Sequence, residues 1–100
     1  MLKNNIFEIK VSYEKFKELL DRIVAGEEPD ETDRSGETWS NEEWSINLNF
    51  LSNVLFAHII ALGDMDAVIE INLKTQSYYA CNEQFTEFVN EYFNSEKLNE

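Results

Sequence analysis

The stretch from Asn53 to Leu73, NVLFAHIIALGDMDAVIEINL, is the most apolar part of a 100-residue chain, and a chain of that length can build one modest core. Everything on either side must therefore be arranged to cover it. No second domain is expected. Thirteen percent of the residues are aromatic, which gives a core of this size enough large side chains to fold without covalent staples.

The flanking segments carry the periods of a strand and two helices. Between Asn5 and Val11, Phe7, Ile9 and Val11 alternate with Glu8 and Lys10, the pattern of a half-buried strand. Ser12 stands where an N-cap would, Tyr13, Phe16, Leu19, Leu20, Ile23 and Val24 follow at three- and four-residue spacing, and Gly26 supplies a left-handed stop. Trp44, Ile46, Leu48 and Phe50 alternate with Ser45, Asn47 and Asn49 as a strand with one polar face. Val54 to Leu62 is apolar on nearly every side, so periodicity leaves it as a buried helix or as a central strand. Ala67 to Leu73 reads as a strand, Lys74 to Gln76 as a turn, and Ser77 to Cys81 as the hairpin partner. Asn82 caps a last helix whose stripe of Phe85, Phe88, Val89, Tyr92 and Phe93 opposes Glu83, Glu87 and Glu91, and its tail from Asn94 is expected to fray. The expected fold is α+β: a mainly antiparallel sheet of four to five strands, with an N-terminal and a C-terminal amphipathic helix packed on it.

The segment Glu27 to Glu43, EEPDETDRSGETWSNEE, interrupts this order. Its eight carboxylates and one arginine supply −7 of a net charge of −12, and Pro29, Gly36 and the Ser, Thr and Asn residues give it the composition of a loop. A net charge of this sign repels phosphate backbones and anionic membranes, and it accelerates encounter with a basic protein. Direct nucleic-acid binding is not expected, nor is membrane binding. Within the loop, Trp39 is surrounded by Glu37, Glu42 and Glu43, the composition of an aromatic anchor with a charged rim; the alternative is that Trp39 folds back onto the core. The residues expected to bind a basic partner are Asp30, Glu31, Asp33, Glu37, Trp39, Glu42 and Glu43. Trp44, in register with Ile46 and Leu48, is read as core.

Other constellations are weak. Glu31, Asp33, Ser35, Gly36 and Glu42 occupy positions 1, 3, 5, 6 and 12 of a calcium-loop pattern, with Glu for Asp at the first and Thr38 where an apolar residue is needed. Asp64 and Asp66 form a D-x-D pair that reads as a turn. The single histidine, His58, lies inside the apolar run and reads as structural, and Cys81 reads as a small buried residue. No Gly-rich phosphate loop, CxxC pair or histidine cluster is present, so neither a catalytic activity nor a cofactor is expected. A lone cysteine, an N-terminus without a continuous apolar run, and no apolar stretch near the roughly 20 residues that span a bilayer suggest a cytoplasmic protein.

The run GDMDAVIEINLKTQSYYACNEQFTEFVNEYF resembles the closing segment of SUKH-type bacterial immunity proteins, in which a strand, a short turn, a Tyr-containing strand and a helix with a Phe-x-x-Phe pattern follow one another. Here these are Ile69 to Leu73, Lys74 to Gln76, Tyr78 with Tyr79, and Phe85 with Phe88. The similarity covers about a third of the chain, and the N-terminal half departs from it. The resemblance implies an α+β fold, favours a strand at Val54 to Leu62, and implies neutralisation of a toxin. The expected function is an immunity or inhibitor protein that binds a basic protein such as a toxin nuclease; the alternatives are a virus-encoded acidic mimic of nucleic acid that blocks a host defence nuclease, and a calcium-binding module.

Overall fold

The computed structural model describes residues 11–60 and 67–98, with side chains as far as Asn94. Among these, α1 (Tyr13–Val24) is followed by six strands, β1 (Glu31–Thr32), β2 (Gly36–Ser40), β3 (Trp44–Asn49), β4 (Val54–Ile59), β5 (Ile69–Asn72) and β6 (Ser77–Ala80), and by α2 (Glu83–Leu98). The strands form one antiparallel sheet in the order β1-β2-β3-β4-β5-β6, so each pairs only with its neighbours in sequence. The fold is α+β, with six strands where four to five were expected. The additional ones, β1 and β2, come from the segment read as a loop. The predicted strand at Asn5 to Val11 lies outside the described residues, apart from Val11.

α1 forms where its apolar spacing places it, and both its ends are capped. Ser12 has extended backbone and its hydroxyl accepts from the Lys15 N–H. At the other end Gly26 has φ +83°, its N–H donates to the Ile23 carbonyl, and the Glu27 N–H donates to the Arg22 carbonyl. This paired arrangement satisfies the last carbonyls and requires a residue at ease with positive φ. α2 starts on Asn82, whose side-chain oxygen accepts from the Phe85 N–H at 3.0 Å.

The alternation of the strands sends Trp39, Trp44, Ile46, Leu55, Ala57, Ile59, Ile69 and Ile71 to one face, and both helices lie there. α1 contributes Phe16, Leu19 and Leu20, and α2 contributes Phe85, Val89, Tyr92 and Phe93. Trp44 stands between them, its ring centroid 4.9 Å from Phe16 and 5.6 Å from Phe85. Burial of each large aliphatic or aromatic side chain here contributes roughly 1.5–3 kcal/mol, and the helices also meet directly where Phe88 packs on Tyr13 and Phe16 and the Tyr92 hydroxyl donates to Asp21. Val54 to Ile59 is a strand, which decides the alternative left by periodicity. Ala57 faces the helices while Phe56 and His58 face away, so the apolar run is apolar on both faces of a sheet and not around a helix.

Four side chains hold the described hairpin turns. Asp33 Oδ1 accepts from the Ser35 N–H, Ser35 hydroxyl and Gly36 N–H between β1 and β2. Asn41 Oδ1 accepts from Glu43 and Trp44 N–H between β2 and β3. Asn49 and Asn72 do the same for the β3–β4 and β5–β6 turns. Such side chains mimic a backbone turn, which is why Asn and Asp recur at these points.

Candidate functional site: the uncovered sheet face and its acidic edge

Because both helices pack on one side, the other side of the sheet is left without a covering layer among the described residues. Register fixes what it presents. A central row crosses all six strands as Glu31, Thr38, Asn47, Phe56, Glu70 and Tyr79. A second row holds Ser40, Ser45 and His58. A third begins Gly36, Asn49 and Val54 and continues at the β5–β6 end with Asn72 and Ser77. No lysine or arginine stands in any of these rows. The Asn47 amide donates to the Thr38 hydroxyl at 3.0 Å, fixing that cross-strand pair, while Tyr79 is 69% exposed. A shallow hollow of about 290 Å³ opens beside it, lined by Val54, Glu70, Asn72, Ser77 and the two tyrosines Tyr78 and Tyr79.

Glycine is required at one point on this face. A Cβ on Gly36 would lie 1.9 Å from the Leu48 carbonyl oxygen of β3, so no side chain fits between the two strands there.

The acidic segment forms the β1 edge of this face, and most of its carboxylates have partners within the chain. Arg22 of α1 reaches both Asp30 oxygens at 3.2 and 3.3 Å and donates through Nε to Glu27 at 3.1 Å. The Arg22 guanidinium, and then the Ser40 N–H at 2.9 Å, hold the Asp30 carboxyl below the usual carboxylate range. Asp33 is likewise lowered, by the Ser35 hydroxyl and then by the Ser35 and Gly36 N–H groups of its turn. Glu42 pairs with Lys15 at 2.7 Å and is lowered by it, and Glu43 accepts from the Ser12 N–H at 2.8 Å. Glu31 is exposed on the edge strand and Glu37 is half-buried on the helix side.

Of the residues expected to bind a partner, Asp30, Glu42 and Glu43 thus tie the acidic segment to α1 and its cap, Asp33 holds the β1–β2 turn, and Glu31 alone lies in the uncovered face. Trp39 is 3% exposed, and its indole N–H donates to the Glu27 carbonyl at 3.2 Å, so it closes the core beneath the hairpin. An anchoring role for it would require that hairpin to open. The calcium-loop positions do not wrap as one loop, since Glu31 pairs with Thr38 and Asp33 turns inward on Ser35 and Gly36. Among the described residues no group of three or more His, Cys, Asp or Glu converges as a metal site, and Asp64 and Asp66 lie outside them.

No protein-family model, curated protein or solved structure matches this chain.

One further residue stands apart from expectation, and one is placed more closely. Cys81, read as buried, is exposed just after β6, and the desolvation that remains there raises its thiol above the ordinary value. His58 occupies the uncovered face opposite Ser45, on the side away from the helices. Of this face the sequence displays only the polar side of β3, in Ser45, Asn47 and Asn49; its continuation across six strands comes from register. Among the described residues no helix is long and apolar enough to cross a membrane.

Proposed function

We propose that this chain is a binding protein of the immunity or inhibitor kind, which docks a basic protein, such as a toxin nuclease, on the uncovered sheet face. The observation that carries the reading is the central row. It sets Thr38, Asn47 and Phe56 side by side between Glu31 and Glu70, with Tyr79 beyond Glu70 on the outer strand and no lysine or arginine in the row. An aromatic and amide centre with a charged rim is the composition of a protein interface, and Tyr, Ser and Asn supply contact area and hydrogen bonds at low conformational cost. Glu31 and Glu70 are the carboxylates of this face that can meet lysines and arginines of a partner, whereas Asp30, Asp33, Glu42 and Glu43 are engaged within the fold. The net charge of −12 then steers the encounter.

The test is capture of a basic partner from the native host on the immobilised protein, followed by titration of that partner. The double reversal Glu31→Lys/Glu70→Lys should weaken binding at least tenfold, and added salt should release the partner. Tyr79→Ala should accelerate its dissociation. A partner retained equally by all three proteins would place the interface elsewhere.

A further inference from the structure

The meander brings alternate turns to the same end of the sheet. At that end a cleft of about 220 Å³ opens between α1 and the helix side of the sheet, away from the face discussed above. Its floor is built from Leu48, Leu55 and Ile71, three consecutive members of one cross-strand row, and Ile23 from the last turn of α1 forms its wall. Leu73, Asn53 and Lys74, from the two turns that flank it, stand at the mouth. Asn53 holds that position with φ +59°, in a turn where the neighbouring Leu51 is 97% exposed.

The cleft is therefore apolar inside and cationic at its rim. In a chain of net charge −12, the described cations Lys15, Lys17 and Arg22 are all in ion pairs, whereas Lys74 and Arg34 are in none. Lys74 is thus one of two described ammonium or guanidinium groups outside an ion pair, and it is the one that lines the apolar cleft. At about 220 Å³ the space lies below the usual range for drug-sized ligands and suits a single aliphatic chain of modest length.

We infer that this cleft binds an aliphatic carboxylate of medium chain length, with the chain against Leu48, Leu55, Ile71 and Ile23 and the carboxylate at the Lys74 ammonium. Pockets that take such ligands pair an apolar lining with one or two polar groups that fix orientation. Charge selects the head group: an ammonium at the mouth favours a carboxylate over an alcohol of the same length and disfavours an alkyl cation.

The experiment is a titration of the methyl-labelled protein with sodium octanoate, 1-octanol and octylammonium chloride, each kept below its aggregation limit. Octanoate should shift the Ile23, Leu48, Leu55, Ile71 and Leu73 methyls saturably, octanol should bind more weakly, and octylammonium should bind most weakly. Lys74 is exposed, so Lys74→Met should fold normally, weaken octanoate about three- to fivefold and leave octanol unchanged. Equal binding of octanoate and octanol to both proteins would overturn the role of Lys74. Methyls that do not respond to octanoate, or responses centred on Val54 of the opposite face, would overturn the site.

Discussion

The two tryptophans separate a satisfied from an orphaned indole within one core. Trp39 donates to the Glu27 carbonyl, whereas the Trp44 N–H is buried among aromatic rings without an acceptor. Trimming each to Phe removes similar volume, but only Trp39→Phe leaves a carbonyl without its donor. It should therefore destabilise the protein by about 1 kcal/mol more than Trp44→Phe, measured by urea denaturation. Gly36→Ala meets the Leu48 carbonyl oxygen and should cost about 3 kcal/mol, because strand separation is set by the ladder and cannot yield locally. Either result is read from the same denaturation curves. At this scale the caps were legible: Ser12, Gly26 and Asn82 were assigned from spacing alone. The burial of Trp39 was not, since the carboxylates around it have the same composition whether the indole points out or in.

Among the elements, the β1–β2 hairpin and the turns that flank it hold the described carboxyls whose titration is lowered by the fold. Asp30, Asp33 and Glu42 all have depressed native pKa values, the first held by Arg22, the second by its own turn, the third by Lys15. A depressed carboxyl contributes stability that is fully present above its unfolded value and is lost as pH falls through the native one. Acidification from neutral pH first relieves the repulsion of the net negative charge, so stability should rise, and it should fall once these three carboxyls protonate below the ordinary carboxylate range. Asp33→Asn should flatten that acidic limb, followed by circular dichroism on thermal melts across the pH series. The hairpin was also the element the sequence concealed. Thr38 and Trp39 belong to a strand, but Pro29, Gly36 and eight carboxylates dominate the local composition, and only the pairing of Gly36 to Ser40 with β3 overrides it. The Asx turns at Asp33, Asn41, Asn49 and Asn72 mark the four described hairpin turns, a signal visible once each is weighed as a turn former rather than as a charge or a polar face. The uncovered face was hidden for a related reason: it comes from register across six strands, and no single segment displays it.

For the molecule as a whole, charge is the dominant long-range term. Its described ion pairs lie at the surface, with only Arg22 half-buried, so each contributes little and is weakened by salt. Self-repulsion from −12 is screened over the same range. Repulsion involves every acidic group and should win, so the melting temperature should rise between about 20 and 300 mM sodium chloride while affinity for a basic partner falls. Differential scanning calorimetry at fixed pH checks the first, and titration of the captured partner the second. The strand order has a consequence in time as well. Since every strand pairs with its immediate successor, no pairing waits for a distant part of the chain, and the sheet can grow outward from the central β3–β4 hairpin by short loop closures. Refolding after dilution from urea should follow a single exponential faster than that of sandwiches of equal length, with the amides of β3 and β4 the first to gain protection from exchange.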